Sequence, residues 1–263
     1  GGLVSACYLA KLGLRVLLIE KQYHVGGYCG SFTRDGFHFD TGVHSLGSLK
    51  RGVLKKIFLE LDFLEKIKLH FFDTTDVIIT PDFKIKFYLN YERTITDLIS
   101  VFPKQERAIR NFFNFMLSSD FFQVYKKIKK ITFEKLLTSF FDESKLKFIF
   151  NFLIANNIGT PAKSTSALAA VVLFRQYILD QGCYPIGGMQ NFSNKLLETF
   201  SSLGGESLLN TEVQKIIITN GAANGVVTTR GIYYAKKIIS SIDATMTFTK
   251  LINGFYRESA REI

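Results

Sequence analysis

Leu3, Ala6, Cys7, Ala10 and Leu12 recur at helical spacing and Gly13 supplies a stop, so a helix is expected over residues 2–13. The period then changes. Residues 15–20 (RVLLIE) form a short apolar run, too brief for a helix, and read as a buried strand ending in an acid. A glycine pair, a helix, a glycine and an apolar strand with a terminal Glu make the second half of a βαβ nucleotide-binding unit. Its first strand and leading glycines would lie before residue 1.

Residues 31–39 alternate around Asp35-Gly36, a hairpin signal, and residues 77–80 and 84–88 form a second hairpin across Pro81-Asp82-Phe83. Helical patterning is expected from 51 to about 69. It returns over 95–180, with breaks at Pro103, Asp120, Asp142-Glu143 and Gly159-Thr160-Pro161. After Gly182 the texture changes again. Gly187-Gly188 opens a helix to about Phe200, a short strand follows at 207–210, and further strands are expected at 213–219, 225–229 and 232–240. Nucleotide-domain texture thus occurs at both ends, with a helical block between them.

The chain has 263 residues, 47% of them hydrophobic and 21% charged, which is a globular composition with room for one large domain or two modest ones. Lysine and arginine exceed the acids by 33 to 23, giving a net charge of +10. The excess suits an anionic partner, but it is spread along the chain without the stripes or modules of a nucleic-acid binder, so none is expected. Cys7, Cys29 and Cys183 are odd in number and widely spaced, which argues against disulfides and structural zinc and favours a reducing compartment, cytoplasmic or at a membrane periphery. No signal peptide is visible, and no apolar run approaches the length of a membrane span.

The candidate chemistry lies in the glycines. If Gly1-Gly2 ends a GxGxxG loop, the helix N-terminus presents free N–H groups to a pyrophosphate, and Glu20 accepts hydrogen bonds from ribose hydroxyls. His38 and His44 read as surface or packing residues, Cys29 as an inert thiol and Asp40 as a cap on backbone N–H groups. No catalytic set and no metal site emerges from the spacing. Residues 121–130 form a basic amphipathic helix with Phe121, Phe122, Tyr125 and Ile128 on one face and Lys126, Lys127, Lys129 and Lys130 around the other. It is either a peripheral contact with anionic membrane or an ordinary surface helix with its aromatic face in the core.

Beyond Glu20, the segment Glu20-Lys21-Gln22-Tyr23-His24-Val25-Gly26-Gly27, followed by Phe39-Asp40-Thr41-Gly42-Val43-His44, resembles the second glycine motif of FAD-dependent amine-oxidase-like flavoproteins. Tyr184-Pro185-Ile186-Gly187-Gly188-Met189 and Gly204-Gly205-Glu206 with Glu212-Val213-Gln214-Lys215-Ile216 resemble later segments of the same group. Within it the chain is most similar to the phytoene desaturase, carotenoid isomerase and retinol saturase branch. The resemblance implies an α/β fold: a discontinuous, incomplete Rossmann-like FAD-binding domain (1–50 and 182–263) with an inserted helix-rich α+β substrate domain (51–181). It implies FAD held by Gly1, Gly2, Glu20, Lys21, Gly26, Gly27, Gly42 and Val213, with catalytic residues unassigned. It also implies a lipophilic polyene substrate, processed by hydride transfer or redox-assisted isomerisation; the Phe-rich middle would line its pocket. The alternatives are an amine-oxidase-like flavoenzyme with another substrate, or an inactive remnant. On this resemblance the chain is an internal fragment lacking both ends.

Overall fold

In the computed structural model, residues 1–50, 52–178, 180 and 182–252 are described. The chain divides into two compact units. Unit 1 comprises Gly1–His44, Phe58–Lys68 and the segment from Pro185 onward; unit 2 comprises Ser45–Ile57 and Leu69–Tyr184.

Unit 1 begins with α1 (Gly2–Lys11), shorter by two residues than expected because Gly13 turns left-handed at φ 78°. Its buried face consists of Ala6, Cys7 and Ala10, side chains small enough to admit another helix closely. Strand β1 is Leu17–Ile19, and the hairpin of β2 (Ser31–Arg34) and β3 (Phe37–Asp40) follows. Its turn residues Asp35 and Gly36 both have positive φ, 51° and 80°, the twist that a two-residue hairpin needs. Helix α2 (Val53–Glu60) belongs to unit 2 up to Ile57 and to unit 1 from Phe58.

The two units follow the expected domains except at their edges. Residues 58–68 belong with the terminal segments because Phe58 and Phe63 pack on Phe192, with ring centroids 6.0 and 5.8 Å away. Residues 45–50 belong to unit 2, where Leu46 forms an isolated antiparallel bridge with Cys183. The helix expected to run to 69 stops at Glu60, and β4 begins at Leu69. The part of the expected flavin domain beyond residue 252 lies outside the described residues.

Unit 2 contains β4 (Leu69–Phe71), the hairpin β5 (Thr74–Ile79) and β6 (Lys84–Tyr88), and six helices. These are α3 (Tyr91–Val101), α4 (Glu106–Leu117), α5 (Phe121–Ile128), α6 (Phe133–Phe140), α7 (Ser144–Ile158) and α8 (Ala167–Leu173). Side chains of Asn90, Asp120, Thr132 and Glu143 accept hydrogen bonds from the first-turn N–H groups of α3, α5, α6 and α7, which is why the chain restarts a helix at each. Phe112 sits at the centre of the core, within about ring-contact distance of Phe113, Phe140, Phe141, Phe150 and Phe174. The phenylalanines of the middle block that are fully buried therefore fill a helix core. They are not on hand to line a cavity, contrary to the expectation drawn from their abundance.

Strand β7 (Cys183–Pro185) pairs with β4 and leads back to unit 1. There α9 (Gly188–Ser202) is followed by β8 (Glu206–Leu208), which pairs in parallel with β1 through Leu17↔Glu206, Leu18↔Ser207 and Ile19↔Leu208. An antiparallel sheet of β9 (Val213–Thr219), β10 (Ala222–Thr228) and β11 (Gly231–Tyr234) completes it. The strand expected over 232–240 ends at Tyr234, before Lys236-Lys237.

Candidate functional site

The residues expected to hold the cofactor all fall in unit 1, whereas the basic 121–130 helix and Cys183 fall in unit 2. Two clusters form. The first gathers around the start of α1. Gly1 is the N-cap, no side chain caps the helix, and its first turn carries no acid. The N–H groups there are not answered by a side chain and carry the partial positive charge of the helix end. Gly2 lies close to Ser241, whose Oγ would have to turn away from a Cβ placed 2.5 Å from it. Glu20 follows β1 directly. Its backbone N–H donates to Leu208 O (2.9 Å), and its carbonyl accepts from Thr211 N–H (2.9 Å). The carboxylate Oε1 accepts from Gln22 N–H (2.9 Å), which fixes the side chain while leaving it capacity for further donors. Asn210 N–H donates to Gln22 O (2.9 Å), so the 20–22 turn is clamped to the 208–211 turn that leads into Val213. Lys21 is exposed beside it.

The second cluster is the glycine segment. Gly26 has φ 120°, and a Cβ there would meet Ser193 Oγ at 2.6 Å and Cys29 O at 2.9 Å. Gly27 has φ 56° but faces open space. The two glycines therefore differ: Gly26 is demanded by close packing inside the protein, Gly27 by backbone conformation alone. Gly42 lies alongside, because Thr41 N–H donates to Gly30 O (2.9 Å) and Val43 N–H to Tyr28 O (3.0 Å).

Helix α9 holds this segment in place. Ser193 Oγ donates to Cys29 O (2.7 Å), Gln190 Nε2 to Val25 O (2.9 Å), and Ser31 N–H to Gln190 Oε1 (3.3 Å). Asp40 Oδ1 accepts from Met189 N–H (3.1 Å) in the first turn of α9, matching the capping role expected for it. On its other side α9 takes the weak thiol bond from Cys7 Sγ to Leu196 O (3.6 Å). Gln190 and Ser193 were missed by sequence reasoning. Their partners lie more than 150 residues away, and only the position of α9 after Gly187-Gly188 hinted at them.

Burial, with the nearby Asp40, pushes the Cys29 thiol up, which disfavours the thiolate. Burial alone pushes Cys183 up to about 12. His38 Nδ1 pairs with Thr33 Oγ1 (2.9 Å) and His44 Nδ1 lies 3.4 Å from Gly42 O, both on the surface. Among the described residues, no three His, Cys, Asp or Glu side chains gather as metal ligands. A pocket of about 310 Å³ in unit 2, lined by Thr80, Asp82, Phe83, Ser144, Lys145 and Phe148, includes none of the residues singled out.

Comparison with known proteins gives these clusters a context. The flavin containing amine oxidoreductase family matches residues 1–245, and FAD is the cofactor that the match indicates. Prolycopene isomerase 2, chloroplastic, of an Oncidium hybrid cultivar is 27% identical over 96% of this chain and 48% of its own length. An inactive all-trans-retinol 13,14-reductase of Danio rerio is 25% identical over 96% and 47%. An oxidoreductase from Methanosarcina mazei shares the fold with a TM-score of 0.76 at 19% identity, over 99% of this chain and 61% of that one. The chain thus spans about half the length of the curated relatives it matches. Among the described residues, no helix is long and apolar enough to cross a membrane.

Proposed function

Because the chain belongs to the flavin containing amine oxidoreductase family, we propose that unit 1 is its discontinuous, Rossmann-like FAD-binding domain and unit 2 the substrate domain inserted in it. The observation that supports this most is the Glu20 turn clamped to 208–211 in the same unit as a glycine-led helix start, where a Cβ at Gly2 would crowd Ser241. These residues fit the group: helix N–H groups suit a pyrophosphate, and a fixed carboxylate suits ribose hydroxyls. Gly1 and Gly2 would hold the pyrophosphate, Glu20 and Lys21 the ribose side, and the Val213 backbone the adenine side. Gly27, which faces open space, would line the path to the flavin ring, and Gly26 and Gly42, closed against Ser193 and Tyr28, would set the course of the backbone that carries it. FAD supplies hydride transfer when bound. The chain's own residues bind and orient: α9 fixes the glycine segment through Gln190 and Ser193, and Asp40 secures the start of α9.

The substrate of the whole protein is, on this reading, a polyene isoprenoid, transformed by hydride transfer or redox-assisted isomerisation. Two relatives matched over 96% of the chain carry names with prolycopene and all-trans-retinol, and that is its support. The Phe-rich block adds nothing to it, since the fully buried rings among those phenylalanines are core. The test supplies FAD-reconstituted protein with a carotenoid or retinoid in detergent micelles and resolves the products by chromatography. A change in double-bond number or geometry is expected. Turnover of amines with no change in the polyene would favour an amine-oxidase-like activity. Bound flavin without any turnover would make the protein an inactive flavin binder.

A further inference from the structure

Helix α5 buries only part of the aromatic face that its sequence suggests: Ile128 is buried and Phe121 packs against the unit 2 core. Val124 also enters that core, whereas Phe122 is 62% and Tyr125 37% exposed. The outer surface of 121–130 then consists of Phe122, Gln123, Tyr125, Lys126, Lys127, Lys129 and Lys130. It contains no acid, and Asp120 just before it is engaged as the N-cap, accepting from Gln123 N–H (3.1 Å). Lysines at the last turn complement the helix dipole, but that does not account for exposed aromatic rings among them.

The face is held firmly. Arg175 Nη1 donates to Met116 O (2.7 Å) and Ser118 O (2.9 Å), closing the end of α4, and its guanidinium lies 5.3 Å from the Phe121 ring. The α4–α5 connection is thereby tied to the helix behind it.

We propose that this face is a docking surface for an anionic lipid bilayer. Amphipathic helices at membrane interfaces set aromatic rings at the headgroup boundary while lysine stems lie along them and carry their charges outward. Here rings and lysines share one exposed surface: Lys126 Nζ lies 4.3 Å from the Phe122 ring centroid and Lys129 Nζ 5.6 Å from that of Tyr125, within reach of headgroup phosphates once the ammonium groups turn outward. The inference rests on α5 alone and is independent of the flavin reading.

The chain contains no tryptophan, so Phe122→Trp installs a single reporter at an exposed position. Its emission should shift to the blue on mixing with phosphatidylcholine vesicles containing phosphatidylserine, and not with phosphatidylcholine alone. Salt should reverse the shift. Reversing Lys126, Lys127, Lys129 and Lys130 to Glu in the reporter protein should weaken partitioning by well over a hundredfold, at about fivefold per lysine lost. The charge-matched control Lys104→Glu, Lys163→Glu, Lys236→Glu and Lys237→Glu should bind far better than that variant. An unshifted spectrum, equal loss in the two quadruple variants, or a preference for polyuridylate over the anionic vesicles would overturn the proposal.

Discussion

Replacing Gly26 by alanine tests how the glycine segment is built. The new Cβ would stand 2.6 Å from Ser193 Oγ, 2.9 Å from Ser193 Cβ and 2.9 Å from Cys29 O, inside any allowed contact. Ser193 would have to move, losing its 2.7 Å bond to Cys29 O, a loss of about 0.5–1.5 kcal/mol. The φ of 120° adds strain of about 1–3 kcal/mol for a residue with a side chain. Together these give a destabilisation of about 2–4 kcal/mol. Gly27→Ala meets nothing within 4 Å and carries only the left-handed cost of about 1–2 kcal/mol. Urea unfolding followed by circular dichroism, without cofactor, separates the two. Equal destabilisation at both positions, or a larger effect at Gly27, would refute the packing argument and with it the role given to Ser193.

Glu20→Ala should weaken FAD binding by about 1–3 kcal/mol, the usual loss when hydrogen bonds to a charged partner are removed, as read from flavin fluorescence titrations of both proteins. Phe150→Ala removes a fully buried ring stacked 5.5 Å from Phe141 and should cost about 3–5 kcal/mol in thermal or urea unfolding. Burial pushes Cys7 up to about 11 from an ordinary 9.0, so the folded chain holds the proton more tightly than the unfolded one. Stability should therefore be highest below the unfolded value and fall as pH rises toward about 11. Under native conditions near pH 8, Cys7 and Cys183 should resist a disulfide reagent that labels all three thiols in urea.

Local features were the most legible in the sequence. Gly13, the short run into Glu20 and the Asp35-Gly36 turn each declare themselves within a few residues, and the structure forms α1, β1 and the β2–β3 hairpin around them. Long-range contacts were not legible. Gln190 and Ser193 look like ordinary helix residues until α9 is seen against the glycine segment. Phe58 and Phe63 carry no mark of belonging with Phe192 rather than with the helices that follow them. Helix α5 was left between two readings for a different reason. Phe121, Phe122, Val124, Tyr125 and Ile128 place apolar side chains around most of its circumference, so periodicity cannot select which stripe is buried. The abundance of phenylalanine misled in the same way, since composition does not separate a packed core from a lined pocket.

The central claim is that unit 1 is built to hold FAD through the α1 N-terminus and the Glu20 turn. Titrating the flavin-free protein with FAD, while recording flavin fluorescence and the visible absorption band, measures this directly. The account predicts saturable binding with one flavin per chain, competed by ADP, which offers the same pyrophosphate and ribose. A protein that leaves the flavin spectrum unchanged, or that takes up FAD without competition from ADP, would contradict it.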